Sequence, residues 1–547
     1  MNAKGSSIMK KALRIVVTVI LIILLIGGLF YKIFWNAQVD FVVNETTFPL
    51  STEQKLEDFK YLFRTLEQNF PYFEVKKRQH GMDWLAREEE FASMIAGTSS
   101  DAEFYEALER ILILLQNGHT NIIEPGVVYE DYARIYSGST PWSQIYNDNR
   151  VRGAYDYWDT VIAKSDTLCL PVSFKYIEGE YYAWRNPVEP EGSPEDFGIP
   201  SGSRLCDVGS ISVDDYVENL VYSRFLRYDR LRGKAKVNTL IIYSDSPVQL
   251  GLETPTGDRV DVVVEPGILS NTRSVGTGLP EHLFSTFKNE EDGIAYLKLP
   301  SFSTFYVDKD APGIRTFLEE IKDYKSLIID IRGNGGGSTQ YWERNIVAPL
   351  TDKELTAKCY VLFRDSSYLK PFLKHKMLYH YLKLKDLNSL SIGDYSPEYY
   401  FSDGRGRYKE IVYTVGPNNP VGFKGRIFLL VDDAVYSSSE SFAMFAKTTG
   451  WATLVGTDTG GDGIGFDPIP LVLPNSGLII RFPGEMGLNP DGAVNEEDRT
   501  KPDVYVEQTL EDFLLQIQKQ DTGHDLASIM DYDTMLRKAF ELAGFSY

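Results

Sequence analysis

The sequence has little cysteine, and the few cysteines present are poorly placed for a structural framework. Cys169, Cys206 and Cys359 are far apart in a chain of 547 residues, and none stands in a CxxC or a Cys/His spacing. This pattern supports neither a disulfide scaffold nor a zinc site. It favours buried free thiols, the usual state of isolated cysteines.

The sequence also has fewer basic residues than acidic ones, 56 against 77, and no long low-complexity tract. The formal net charge is -21 and no basic patch interrupts it, so a nucleic-acid partner is not expected. Hydrophobic residues make up 43% of the chain without a long biased segment, which is typical of a folded protein. The length predicts more than one packed unit.

A long hydrophobic run occurs at the amino terminus. Residues 15–31 are free of charge and follow several lysines and one arginine. The run predicts an uncleaved transmembrane helix in the cell membrane, with the amino terminus cytoplasmic and the rest of the chain extracytoplasmic. A cleaved signal peptide is the alternative, although no small-residue cleavage pattern follows the run.

Hydrophobic periodicity predicts an α+β multidomain architecture. The predicted units are a cytoplasmic stub with the transmembrane anchor (1–35), a linker (36–50), a helical subdomain (51–125), an aromatic-rich connection with a β domain (126–285), an α/β domain (286–508) and a carboxy-terminal helical tail (509–547). An insertion at 365–417 interrupts the α/β domain. Such an insertion can form a lid or a cleft wall, and ordinary packing explains it equally well.

The strand-rich part of 126–285 resembles a divergent PDZ domain. Short strands such as TLIIY, VQLGLE and RVDVVVE surround one helix, and PDZ domains bind a peptide as an added strand at a sheet edge. A purely structural module is the alternative.

A serine cluster follows a hydrophobic strand in AVYSSSESFAMF. In a strand-to-helix turn, Ser437 would lie close to the backbone N–H groups of a helix amino terminus, which can stabilise an oxyanion. The bland alternative is a capping box, in which Ser437 and Glu440 satisfy backbone donors without any chemistry.

A glycine-rich loop follows another predicted strand in LIIDIRGNGGGS. Glycines allow positive φ and close approach of the backbone to a ligand, which suits an oxyanion hole or a phosphate cradle. Neither a GK[ST] sequence nor the dinucleotide spacing is present, so a phosphate site is disfavoured. A tight turn is the remaining alternative.

Taken together, DIRGNGGG, VYSSSESFA, TLVGTDTGGDG and NEEDRTKPDV resemble the catalytic domain of the carboxy-terminal processing (tail-specific) protease family, including its tricorn-like branch. The resemblance implies a crotonase/ClpP-like α/β core, Ser437 as nucleophile, and an oxyanion hole formed by the N–H groups of Ser438 and of Gly335 or Gly336. It implies no metal and no organic cofactor.

The general base distinguishes two branches of that family. Members with a Ser-Lys dyad carry a lysine about 25 residues after the serine, where this chain has Asp462, and an aspartate is too weak a base for that role. In LLQNGHTNI, His119 resembles the D-G-H-T histidine of the other branch, with Asn117 in place of aspartate. The resemblance therefore implies His119 as base.

A triad also needs an acid that orients the imidazole. Similarity of the NEEDRTKPDV segment to the family's acidic motif implies Glu496, with Glu497 as its neighbour; both also fit an ordinary surface loop. The predicted function is a membrane-anchored serine endopeptidase acting on peptides or proteins. A catalytically inactive, peptide-binding scaffold is the alternative.

Overall fold

The computed structural model describes residues 39–45, 47–162, 168–188, 192–220, 226–269, 280–381, 383–519 and 526–545, together with the single positions Thr18 and Leu25. Within these ranges the chain forms a helical region, a separate antiparallel β module and an α/β domain. The multidomain α+β architecture predicted from the sequence is thereby confirmed.

Helices dominate the described chain before residue 163. The first, Thr52–Asn69, starts at a capping box in which Ser51 and Gln54 exchange side-chain to backbone hydrogen bonds. The other helices of this region are Phe73–His80, Glu88–Ala96, Asp101–Ile113, Val127–Ile135, Trp142–Tyr146 and Asn149–Ile162. Four of these helices precede residue 125 in the described chain, and the short helix Phe73–His80 carries few apolar residues, so hydrophobic periodicity alone does not reveal it.

The β module has a hydrophobic core of its own, centred on buried aliphatic and aromatic residues such as Leu170, Phe174 and Leu205. Its strands, all antiparallel, run in the spatial order Arg259–Val264, Val248–Glu253, Arg204–Val208, Glu180–Ala183, Leu168–Ile177 and Gly267–Ile268, with Ile211–Ser212 beside the third and Thr239–Tyr243 beside the fifth. Helix Val213–Glu218 and the hairpin Arg227–Asp229 with Lys234–Lys236 complete it. The PDZ-like interpretation of this module stays a prediction.

The α/β domain is built on a six-stranded sheet. Its spatial order is Ser285–Asn289, Ile294–Lys298, Ser326–Asp330, Arg426–Val431, Thr453–Gly456 and Val504–Tyr505. Only the first pair is antiparallel. Because parallel strands end at one edge of the sheet, the chain after Asp330, after Val431 and after Gly456 emerges on that shared edge.

Two smaller sheets join the α/β domain to its surroundings. One contains Lys385–Asp386, Arg407–Val415, Leu355–Phe363 and Met486–Leu488, and the other contains Asn121–Ile122, Ile479–Phe482 and Ile469–Val472. In the first sheet, the end of the predicted insertion pairs over nine residues with Leu355–Phe363. In the second, the strand Asn121–Ile122 ties the end of the helical subdomain to the α/β domain.

The remaining helices and turns of the described chain surround these sheets. They are Leu85–Arg87, Pro194–Phe197, Thr304–Tyr306, Val307–Glu320, Thr339–Trp342, Glu343–Val347, Ala348–Leu350, Lys370–Tyr381, Leu387–Ser389, Pro397–Tyr400, Ser438–Thr449, Asn495–Asp498, Leu510–Lys519, Leu526–Met530 and Thr534–Ala543.

No helix among the described residues is both long and apolar enough to cross a membrane. This finding contradicts the predicted single-pass membrane localisation and, with it, the membrane as a partner. The longest described helix, Thr52–Asn69, has 18 residues and exposes a charged face, whereas a span needs about 20 mostly apolar residues. The predicted anchor, residues 15–31, lies outside the described residues apart from Thr18 and Leu25.

The last helix, Thr534–Ala543, packs its apolar face against the six-stranded sheet. Phe540 is fully buried there beside Tyr296 and Phe545. We expect Phe540→Ala to lower the free energy of unfolding by about 3 to 5 kcal/mol, because a large buried side chain leaves a cavity. Chemical denaturation measures this loss. Lys538→Ala is the matched control on the same helix, and an equal effect of both substitutions would contradict the packing.

Candidate active site

Ser437 is the N-cap residue of helix Ser438–Thr449 and directly precedes it. Its φ of 58° and ψ of -127° are costly for a residue other than glycine, and such strain is frequent at functional sites. Its side chain makes no capping hydrogen bond within the described part of the chain, so the capping box with Glu440 does not form. Glu440 instead accepts hydrogen bonds from Asn495 and Thr500, each at 2.7 Å. The Ser437 hydroxyl is therefore left for other chemistry.

The glycine-rich loop packs directly against this serine. A Cβ atom at Gly336 would lie 2.8 Å from both the Ser437 Cβ and the Tyr436 carbonyl oxygen, and Gly336 has a φ of 105°. Asn334 fastens the two segments together, because its Oδ1 accepts from Ser439 Oγ at 2.6 Å and from Gly336 N at 2.9 Å. Glycine is thus required at Gly336 both by the backbone conformation and by the close approach.

Two backbone N–H groups are free to stabilise an oxyanion. In the described chain, neither Ser438 N nor Gly335 N donates a hydrogen bond. The N–H of Gly336, the other predicted donor, is already used by Asn334. The pair Gly335 and Ser438 is therefore better suited to an oxyanion hole than the pair Gly336 and Ser438.

His119 lies in a tight turn at the end of the helical subdomain. The Asn117 side chain holds the turn, since its Oδ1 accepts from His119 N and from Thr120 Oγ1, both at 3.0 Å. The next residues form strand Asn121–Ile122, which pairs with Arg481 and Ile480 of the α/β domain. That pairing places His119 beside the α/β domain.

Tyr436 joins the histidine turn to the serine turn. Its ring centroid is 4.9 Å from that of His119, and its hydroxyl accepts from Gly118 N at 3.2 Å. Because Tyr436 directly precedes Ser437, the imidazole is brought to the serine turn. No hydrogen bond joins the Ser437 hydroxyl to His119 among the described contacts, and such catalytic bonds are often long until substrate binds.

Asp462 is the acid that contacts the histidine. His119 Nδ1 lies 2.7 Å from Asp462 Oδ2, and the carboxylate also accepts from Tyr72 Oη at 2.5 Å and Asn117 Nδ2 at 3.0 Å. Burial alone would raise the pKa of Asp462, but the charge of protonated His119 and these hydrogen bonds hold the pKa below its usual value. The carboxylate thus stays ionised.

Glu496, the predicted orienting acid, makes other contacts. Its Oε1 lies 2.6 Å from Lys76 Nζ and 3.4 Å from Asn117 Nδ2, and both members of the ion pair are buried. The hydrogen bond to His119 that the sequence prediction assigned to Glu496 is made by Asp462.

The sequence contained a signal for Asp462 that the prediction did not use. Asp462 is a poor replacement for lysine as a proton acceptor for the serine, but an acid at this position can also be a partner for an imidazole. Once His119 is taken as base, an acid in the glycine-rich TGGDG segment becomes a candidate. The neighbouring acid Glu497 pairs with Arg78 at 2.6 Å, so it serves the packing of the insertion and helical regions.

Two buried carboxyl groups near these loops are set to titrate close to neutral pH. Burial raises the pKa of Glu440 to about 7, and burial raises the pKa of Glu485 to about 8 despite a hydrogen bond from Phe466 N. A side-chain oxygen of each, Oε2, has no hydrogen-bond partner among the described residues. Across the described chain, no group of His, Cys, Asp and Glu is arranged to hold a metal ion.

We expect stability to fall as pH rises because of these two acids. A carboxyl group whose folded pKa exceeds the unfolded value of about 4.3 stabilises the fold fully below that value and loses the effect as pH passes the folded pKa. In Glu485→Gln the decline in Tm between about pH 6 and about pH 9 should therefore be smaller than in the wild type. Thermal unfolding across that range measures it, with the exposed Glu354→Gln as control. An unchanged decline would contradict the assignment.

Residues 293–506 match the model of peptidase family S41. Mature CPAF complexed with lactacystin aligns with a TM-score of 0.52 at 15% sequence identity, over 86% of this chain and 99% of that chain. A crystal structure of mature CPAF aligns with the same TM-score of 0.52 at 14% sequence identity, over 86% of this chain and 98% of that chain. Comparison with curated proteins gave no match.

A photosystem II D1 C-terminal processing protease covers 84% of this chain and 94% of its own at 17% identity, but its TM-score of 0.36 is too low to support an argument. The alignments with CPAF show that the fold extends well beyond the matched segment. Residues 293–506 are thus similar to peptidase family S41, and the chain is a serine peptidase.

Proposed function

We propose that the protein is an endopeptidase that cleaves peptide bonds through an acyl-enzyme on Ser437, with His119 as general base and Asp462 as the acid that orients it. One observation carries this proposal: the buried His119 Nδ1 to Asp462 Oδ2 contact at 2.7 Å, made beside the turn that presents Ser437. It supports the histidine branch of the family, since Asp462 stands where the Ser-Lys members have their lysine.

The contact supports Nε2 as the nitrogen of the imidazole that acts as base. With Nδ1 hydrogen donated to Asp462, the neutral ring carries its lone pair on Nε2, the atom available to the serine. Ionised Asp462 then stabilises the imidazolium that forms when Nε2 takes the proton. Tyr72 and Tyr436 remain protonated donors to this carboxylate, because burial and the nearby acidic charges raise both pKa values well above the usual range.

The reaction follows in two halves. Ser437 Oγ attacks the scissile carbonyl carbon while its proton passes to His119, and the resulting oxyanion accepts hydrogen bonds from Gly335 N and Ser438 N. The C–N bond breaks as His119 gives the proton to the leaving amine. Water then loses a proton to His119 and attacks the acyl carbon. The bond from that carbon to Ser437 Oγ breaks, His119 returns the proton to Oγ, and the carboxylic acid product leaves.

We expect Ser437→Ala to abolish turnover, on the order of 10⁶-fold in kcat, because the nucleophile is lost. It should also abolish labelling by a fluorophosphonate, while the thermal unfolding transition stays close to that of the wild type. The exposed Ser367→Ala is the control. Labelling that survives in Ser437→Ala would refute the nucleophile, and a folded wild type that is never labelled would favour the scaffold alternative.

Asp462→Asn tests the orienting acid. We expect kcat to fall by on the order of 10³- to 10⁴-fold, because an amide can hold the wrong tautomer of the ring and does not stabilise the imidazolium. Steady-state kinetics with a peptide substrate measure the loss. Asp394→Asn, an exposed site, is the matched control. A kcat within a few fold of the wild type would exclude Asp462 from this role.

A further inference from the structure

Tyr72 of the helical region reaches the oxygen of Asp462 that the histidine does not use. Tyr72 is completely buried, and its Oη lies 2.5 Å from Asp462 Oδ1. The donors on the other oxygen, Oδ2, are His119 Nδ1, Asn117 Nδ2 and Tyr436 Oη. Tyr72 is thus the only described donor on Oδ1.

A hydrogen bond to a carboxylate draws negative charge toward the donor. The Tyr72 bond therefore weakens the hold of Asp462 on a protonated His119, and it also fixes the plane of the carboxylate. Both effects act on the base through its partner, so Tyr72 influences the reaction without touching the reacting atoms.

A second buried acid lies next to the same donors. Glu496 is within 3.4 Å of both Asn117 Nδ2 and Tyr436 Oη, two groups that also contact Asp462. The charge of Glu496 is balanced by Lys76 at 2.6 Å, and the two side chains are only 2% and 3% exposed, respectively. Without Lys76, a second uncompensated carboxylate would face the histidine's partner in a region of low dielectric.

We propose that Tyr72 and Lys76 are positioning residues of the Ser437 site: Tyr72 holds Asp462, and Lys76 neutralises Glu496, so that Asp462 is the one acid that acts on His119. This inference rests on the proposed function. It assigns to the helical region, and in particular to Tyr72 and the helix Phe73–His80 that follows it, a share in setting the basicity of the catalytic histidine.

Other ionisable groups lie near the same site, and none of them is substituted in the experiments below. Arg227 donates to Gly460 O at 3.2 Å and lies 5.3 Å from the Tyr436 ring centroid. Burial, with the charges of Lys76, Arg499 and Arg227, lowers the pKa of His80 to about 3, so it carries no charge near neutral pH. Burial raises the pKa of Glu485 to about 8.

Tyr72→Phe removes the phenolic hydroxyl and keeps the ring, so it tests the hydrogen bond to Asp462 alone. We expect the acidic limb of the kcat/KM profile to move to higher pH by about 0.5 to 1 unit, because Asp462 then favours protonated His119 more strongly. We expect kcat to fall several-fold with little change in KM. Tyr61→Phe, at a half-buried tyrosine of the preceding helix, is the control. A lower Tm with an unmoved limb and unchanged kcat would show a structural role alone and overturn the proposal.

A double-mutant cycle isolates the charge of the ion pair. We expect Lys76→Met to move the acidic limb to higher pH, since the freed Glu496 charge favours protonated His119, and Glu496→Gln to move it to lower pH, since Lys76 is left unpaired. The double variant Lys76→Met with Glu496→Gln should return the limb to the wild-type position. A double variant as displaced as either single variant would overturn the neutralising role.

These outcomes are distinguishable from a failure of the proposed function. If Ser437 were not the nucleophile, Ser437→Ala would remain active and labelled. If only the positioning role were wrong, Ser437→Ala would be inactive while Tyr72→Phe and the two single ion-pair variants kept the wild-type pH profile and kcat. Should the single ion-pair variants fail to fold, Tyr72→Phe still tests the role of Tyr72, and a displaced limb in the double variant would still overturn the neutralising role.

Discussion

The buried contact between His119 and Asp462 is the interaction on which the rest of the site depends. A carboxylate in a dry environment is unstable unless several donors surround it, and Asp462 receives them from three parts of the chain. The same donors fix the orientation of the acid and hence of the imidazole. Ionisation and geometry are therefore secured by one set of hydrogen bonds, in which Tyr72, Asn117 and Tyr436 each have a share.

The parallel sheet explains why the remaining parts of the site meet. The glycine loop, the serine turn and the loop that contains Asp462 all follow strands that end at the same sheet edge. Asn334 then links the glycine loop to the serine helix, and the absence of a side chain at Gly336 permits the contact. Histidine is the exception, because it arrives from the helical region through the short strand pairing that follows His119.

The acids of this region differ in state because their surroundings differ. Asp462 is kept ionised by donors and by the imidazole, and Glu496 is balanced by Lys76. Glu440 and Glu485, which lack a cation in contact and leave an oxygen unsatisfied among the described residues, have raised pKa values and retain protons toward neutral pH. A count of carboxylates would not reveal this division of roles, since burial and partners determine it.

The sequence by itself determined the alternation of strands and helices, the glycine loop and the serine turn, because hydrophobic period and glycine placement are local properties of the chain. It also predicted a serine peptidase of the family that the S41 match supports. The predicted single-pass membrane protein was wrong, because no helix among the described residues is long and apolar enough to cross a membrane. Only the tertiary structure decided that Asp462, and not Glu496, contacts His119, and that Gly336 N is already occupied. The His119 to Asp462 contact joins residues 343 positions apart, and Asn334, which occupies Gly336 N, is itself held by Ser439, 105 positions away. Such pairings depend on how distant segments pack, which no local pattern encodes.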